Sequence, residues 1–216
     1  MLVPLVPLKA LAEAKGRLAP EVGPLQRRLL AIAMFEDVIA ALQAVPALAA
    51  PVVVSPDREV WRRADAMGCR VVEEPPGTGD LNAALTAAAK AASDAALLVV
   101  AADLPLASAA GLEKVLAAEA PVAVVPSADG GGTNVLAWRD PASFAPSFSP
   151  DSAARHLAVP GAVRVDDPGL SLDVDTVEDL RVVAGRLDPS SVTARRLKDV
   201  GFGGSRSEAI APDGYG

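Results

Sequence analysis

Three aspartates suggest chemistry before any element is assigned. Asp103 closes an apolar run, LLVVAADLPL over residues 97–106, and Pro105 follows it two residues later. A second acidic pair, Asp173 and Asp175, flanks Val174, and the alternation of an extended segment puts both carboxylates on one side. Carboxylates gathered at strand ends suit a hard divalent cation. Magnesium takes oxygen ligands, using one or two carboxylates while substrate phosphates and water complete its octahedron. Asp103, Asp173 and Asp175 are therefore the expected Mg2+ ligands. Phosphates need cations as well, and Lys15 and Arg17 lie on either side of Gly16 in a segment closed by Pro20. That segment contains neither G-x-G-x-x-G nor G-x-x-x-x-G-K-[ST], so side-chain charge would have to replace a glycine cradle. A solvated basic loop is the plain alternative.

Other candidates lie further along the chain. Thr133 and Asn134 follow three glycines and can offer a hydroxyl, an amide and backbone N–H groups to an anion. Asp151 or Ser152 starts a short helix whose positive end also favours a phosphate. Residues 74–80, EPPGTGD, form a loop that leads into a helix with Asn82 in its first turn. This could hold a base or ribose, or be an ordinary connection. His156, the one histidine, is expected to hydrogen-bond at a helix end rather than to catalyse.

The elements that must position these residues alternate. Residues 3–8 read as a first strand despite Pro4 and Pro7, which suit a strand's ends better than its middle. A long amphipathic helix is expected over 24–45, then a strand over 51–55, a helix over 57–67 capped by Asp57, and a strand over 69–73. A helix over 81–93, the strand carrying Asp103, a helix over 111–118 and a strand over 122–126 continue the rhythm. It breaks at SADGGG, residues 127–132, which runs straight into TNVLAWR and predicts a hairpin excursion. A short strand over 163–166, an acidic strand end over 172–175 and a helix from Thr176 follow, with Glu178 and Asp179 serving that helix start. The pattern predicts a single-domain, Rossmann-like α/β fold with a mostly parallel sheet flanked by helices. The domain spans residues 1–187, with a C-terminal helix and flexible tail over 188–216.

Composition narrows the function. The chain has 216 residues, 51% of them hydrophobic, enough for one sizeable core. A net charge of −7 argues against nonspecific nucleic-acid binding. The single cysteine, Cys69, rules out an internal disulfide and is expected to be buried and inert. The opening MLVPLVPLK is too short and proline-rich for a signal peptide or membrane anchor, which predicts a cytoplasmic protein.

Taken in order, VPLKALAEAKGRLAP, AADLPL, DGGGTNVL, FSPDSAARH and LDVDTVEDL resemble the guanylyltransferases of coenzyme F420 biosynthesis. These are the 2-phospho-L-lactate and phosphoenolpyruvate guanylyltransferases, which are similar to GT-A-type nucleotidyltransferases. The resemblance covers roughly residues 2–187. It implies that Asp103, Asp173 and Asp175 hold magnesium and that Lys9, Lys15 and Arg17 contact phosphates. It also implies that the loop with Glu74, Gly79 and Asn82 faces guanosine, and that Thr133, Asn134, Ser149 and Ser152 line the phospho-acid pocket. The expected reaction moves GMP from GTP onto phosphoenolpyruvate, with 2-phospho-L-lactate or 3-phospho-D-glycerate as alternative acceptors. A nucleotide-binding module without this activity is the alternative from another class. The implied partners are GTP and a small phospho-acid, with no nucleic acid and no membrane, and a homodimer is compatible. One departure stands out: the family shows F-G-x-G-S where this chain has Phe148-Ser149-Pro150-Asp151-Ser152, so a carboxylate enters beside an anionic substrate.

Overall fold

Short apolar runs bounded by proline, glycine or charge form the strands, and the alanine- and leucine-rich stretches between them form the helices. The computed structural model describes residues 1–13, 15–74, 80–92 and 95–202. The strands are β1 (Val3–Pro7), β2 (Val52–Ser55), β3 (Arg70–Glu73), β4 (Leu97–Val100), β5 (Val122–Pro126), β6 (Thr133–Trp138) and β7 (Val163–Arg164). The helices are α1 (Pro24–Gln43), α2 (Arg58–Ala66), α3 (Leu81–Ala91), α4 (Ala109–Ala117), α5 (Ser152–Leu157), α6 (Val177–Ala184) and α7 (Val192–Asp199).

All seven strands form one sheet in the order β3-β2-β1-β4-β6-β5-β7. Every pairing is parallel except those of β6, which runs antiparallel to both β4 and β5. Among the described residues, the hairpin expected from SADGGG is thus the one reversal in the sheet. Chain order switches direction between β1 and β4, and at such a switch point the loops beyond the two strands part to leave a crevice. Lys9 leaves β1 and Asp103 leaves β4 at that crevice.

Strand alternation sorts the core into two faces. Val6, Val53, Leu98, Val100, Ala123, Val125, Val135 and Ala137 meet α1, α2 and α4 on one side. Val3, Leu5, Val52, Val54, Leu97, Val99, Leu136 and Trp138 meet α3 on the other. Both prolines of β1 are tolerated because their missing N–H groups face no acceptor. Pairing with β2 starts only at Leu5, beyond Pro4, and pairing with β4 ends at Leu5, before Pro7.

Three expectations are corrected. Helix α1 is buried on two sides rather than one: Phe35 and Ile39 pack on the sheet, whereas Leu30 and Met34 pack with Val177, Leu180 and Leu197 of α6 and α7. Residues 172–175 form no strand. Their extended path is fixed by the burial of Val174 and by its N–H, which donates to Asp103 O at 3.1 Å. The strand expected over 163–166 shortens to the two residues of β7. Helix α7 docks firmly, because the Asp37 carboxylate on α1 accepts from Val192 N and Thr193 N, each at 2.8 Å. Cys69 is buried as expected, and burial pushes its thiol up to about 11, which keeps it inert. Among the described residues no helix is long and apolar enough to cross a membrane.

Candidate active site

After β1 the chain makes two short 3-10 turns, Leu11–Glu13 and Gly16–Leu18. Between them Lys15 adopts φ 56°, ψ 40°, the one positive φ outside glycine among the described residues. Such a conformation costs about 1–2 kcal/mol. Leu18, fully buried next to it, anchors the turn. The result is a lysine aimed inward: its ammonium hydrogen-bonds the Asp103 carboxylate and reaches Asp175 Oδ1 at 3.2 Å. Burial alone would lower the pKa of Lys15, but the Asp103 and Asp175 charges outweigh it and hold the pKa above the ordinary lysine value. Arg17 approaches Asp175 Oδ2 at 3.7 Å with its side chain largely in solvent. Lys9 is exposed on the cleft wall.

Asp103 sits in the turn beyond β4, three residues past the strand's end. The 172–175 segment lies against that turn through the Val174–Asp103 backbone bond, and so brings Asp173 and Asp175 to the same place. Asn134, from β6, donates to Asp173 Oδ1 at 3.0 Å and also to Leu170 O and Ser171 O. Its amide N–H groups are therefore engaged as a strut under Asp173. Asp179 accepts from the backbone N of Asp175 and Thr176 in a capping box. Burial raises the pKa of Asp173, the Asn134 bond opposes this, and the neighbouring Asp103 and Asp175 charges add to the rise. So dense a carboxylate group calls for positive charge, and its oxygen donors have the chemistry a hard cation prefers. Among the described residues, however, no three acidic, histidine or cysteine groups converge closely enough to hold a metal. Asp103 and Asp175 instead share the Lys15 ammonium.

Further lining comes from the hairpin and the loop before α5. The turn is held by Gly132 N donating to Ser127 Oγ at 2.8 Å and Gly131 N donating to Asp129 Oδ1 at 3.0 Å. Gly130 has φ 79°, and a Cβ on Gly131 would lie 2.7 Å from Pro150 O, so this sequence of glycines lets the two loops touch. Thr133 Oγ1 lies 3.0 Å from His156 Nδ1, and Ser147 N donates to His156 Nε2 at 3.0 Å. Burial lowers the His156 pKa to about 4. Asp151 does not face the cleft. Its carboxylate accepts from Ser149 Oγ at 2.8 Å and from Arg155 Nε at 3.2 Å, which together hold its pKa below the usual range. The charge that departs from the family pattern is thus paired outside, and the Ser149 proton goes to Asp151 rather than to a ligand.

Among these elements opens a cleft of about 890 Å³, large enough for a nucleotide beside a small acid. Its lining includes Lys9, Arg17, Asp173 and Asp175 together with Thr133, Asn134, Ser149 and Ser152. Asn82 also lines it, but as a clamp: its Nδ2 donates to Phe148 O at 3.1 Å and its Oδ1 accepts from Phe148 N at 2.7 Å. The amide expected to face guanosine is committed to the loop before α5. Glu74 follows the end of β3 and does not line the cleft, and Gly79 lies outside the described residues. Ser127, Asp129 and Asp179 were not singled out from the sequence as cleft residues. The first two were part of a turn signal and the third part of a cap, and nothing in the residue types alone marks them further.

A family model described as "Guanylyl transferase CofC like" matches residues 2–209. A phosphoenolpyruvate guanylyltransferase of Nocardia farcinica is 41% identical over 209 residues, covering 92% of this chain and 91% of its own. Its counterpart of Streptomyces coelicolor is 42% identical over 185 residues, covering 82% and 86%. Among solved structures, a nucleotidyl transferase from Methanothermobacter thermautotroptrophicus superposes with a TM-score of 0.64 at 19% identity, over 86% of this chain and 97% of that one. The structural likeness carries the fold, and the sequence relatives carry the family.

Proposed function

Because the chain belongs to the CofC-like guanylyl transferase family, we propose that it moves the GMP unit of GTP onto the phosphate of phosphoenolpyruvate. The products are enolpyruvyl-diphospho-guanosine and pyrophosphate, in a step of coenzyme F420 assembly. The observation that carries this reading is one cleft lined by cations, carboxylates and hydroxyls together. Lys9, Arg17, Asp173 and Asp175 line it together with the hydroxyl-bearing Thr133, Ser149 and Ser152, and the Lys15 ammonium bonds Asp103 and Asp175.

An oxygen of the acceptor phosphate attacks the α-phosphorus of GTP in line, the bond to the β-phosphate oxygen breaks, and pyrophosphate departs. No general base is required, since a phosphate monoester with a second pKa near ~6 is already mostly dianionic at neutral pH. Catalysis then rests on positioning and charge. Lys9, Lys15 and Arg17 neutralise the departing pyrophosphate. Thr133 and Ser152 hold the acceptor; among the described residues the Ser152 hydroxyl has no hydrogen-bond partner and is free to take one. Among the described residues Asp103, Asp173 and Asp175 do not converge on a metal by themselves, so one or two of these carboxylates would hold Mg2+ together with oxygens of the triphosphate, and its charge would draw the triphosphate and acceptor together. Their surplus of negative charge would otherwise repel both substrates.

The test is pyrophosphate release from GTP and magnesium, with phosphoenolpyruvate, 2-phospho-L-lactate and 3-phospho-D-glycerate supplied separately and Asp103→Asn as the blank. Release with phosphoenolpyruvate and at least a hundredfold less from the variant, the scale of losing one preorganised electrostatic contact, supports the reading. Release only with another acceptor would replace the substrate, and silence with all three would remove the activity.

A further inference from the structure

His156 is buried, does not line the cleft and has no part in the proposed transfer, yet both its ring nitrogens are engaged. Ser147 contributes a backbone N–H, which can only donate, at 3.0 Å from Nε2. Nε2 must therefore be the unprotonated, accepting nitrogen, and in a neutral ring the proton resides on Nδ1. Thr133 Oγ1 lies 3.0 Å from that Nδ1. The N–H thus donates to the hydroxyl oxygen and uses one of its lone pairs. Phe148 packs edge-on to the ring at 5.0 Å and 67°, which fixes the ring plane.

From this chain of donors we infer that His156 is a positioning residue that makes the Thr133 hydroxyl a hydrogen-bond donor to the acceptor's anionic group. Thr133 lies in the cleft lining. With its oxygen accepting from His156, its own proton has no competing claim from the ring and turns towards the cleft. Phosphate and carboxylate oxygens of a fully ionised phospho-acid can only accept, so a donor fixed in advance favours them over ligands that present an N–H or O–H there. The low pKa of His156 keeps the ring neutral at physiological pH, so the relay keeps one direction. This inference rests on the guanylyl-transfer reading of the cleft for the identity of the ligand, while the proton's location is a property of the protein itself.

Two substitutions separate positioning from mere packing. Asn places an amide N–H where Nδ1 stood, one bond from Cγ, and loses the partner of Ser147. Gln reaches one bond further to the place of Nε2, serves Ser147 and loses the donor to Thr133. His156→Gln should raise the acceptor KM about tenfold, the size of one hydrogen bond to a charged group, with the GTP KM within twofold. His156→Asn should recover most of that rise. Thr133→Val combined with His156→Gln should be no worse than Thr133→Val alone, since the histidine acts only through the hydroxyl. Because the chain has one histidine, nitrogen NMR of 15N-histidine-labelled protein reads the tautomer without assignment. At pH 7 it should show a protonated Nδ1 and a bare Nε2. An Nε2–H tautomer, an imidazolium, or equal effects of Gln and Asn would overturn the inference. Absence of turnover by the unsubstituted protein with every phospho-acid would overturn the transfer reading, and the NMR result would still decide the relay.

Discussion

Replacing Asn134 by alanine should release the loop that carries Asp173 without removing a charge. Two amide N–H groups serve three acceptors there: Leu170 O at 3.1 Å, Ser171 O at 3.0 Å and Asp173 Oδ1 at 3.0 Å. A neutral hydrogen bond contributes about 1 kcal/mol net and one to a carboxylate about 2 kcal/mol, so the variant should lose about 3 kcal/mol of stability. Asp173, already raised by burial, also loses the one side-chain bond that opposes the rise. Its carboxylate becomes both less charged and less fixed. Urea unfolding at pH 7 should show the midpoint falling by about 1.5 M at unchanged slope, taking that slope as about 2 kcal/mol/M. Pyrophosphate release should fall at least tenfold in kcat, the size of losing one fixed contact in the transition state. A midpoint moved by less than about 0.3 M, with kcat/KM within twofold, would refute the strut.

Further outcomes follow from neighbouring contacts. His156 has a folded pKa of about 4 against an ordinary 6.5, so as pH falls the unfolded chain takes the proton first. Its contribution to stability is whole above pH ~6.5, declines by up to ~1.4 kcal/mol per unit as pH falls towards 4, and levels off at about 3 kcal/mol lost. Urea midpoints of the protein and of His156→Asn should therefore converge on acidification over that window. Asn82→Leu cuts the two bonds to Phe148; the melting temperature should fall by a few degrees, corresponding to about 1–2 kcal/mol, and limited proteolysis should cut near residue 148 sooner. Gly131→Ala forces a Cβ to within 2.7 Å of Pro150 O. The loops must part, with about 1–3 kcal/mol lost in thermal unfolding and a raised acceptor KM alongside an unchanged GTP KM.

Local pattern made the sheet legible. The apolar runs of β2, β4 and β5 and the SADGGG reversal gave their strands and the hairpin because a strand's period and a glycine turn are written in adjacent residues. The same logic misplaced residues 172–175, where L-D-V-D alternates as a strand does but no neighbouring ladder exists. Its extended shape comes from one buried valine and one backbone bond to Asp103. The acidic residues and Lys15 were legible as residue types. What they would touch was not: the bonds of Lys15 to Asp103 and Asp175 span 88 and 160 residues. The two asparagines show the same limit. An amide near a glycine turn or a helix start suits a ligand and a strut equally, and only the folded partners, 66 residues away for Asn82 and 36–39 for Asn134, decide between them. Asp151 shows the reverse, since Arg155 one turn later was present in the sequence and an i,i+4 pair predicts its neutralisation.

The central claim is that the acceptor phosphate attacks the α-phosphorus of GTP. Phosphoenolpyruvate carrying 18O in its non-bridging phosphate oxygens tests it most directly, with both products examined by mass spectrometry. The account predicts a guanosine diphospho-acid that keeps every labelled oxygen, one of them now bridging the two phosphorus atoms, and pyrophosphate free of label. Labelled pyrophosphate, or GDP appearing in place of pyrophosphate, would contradict it.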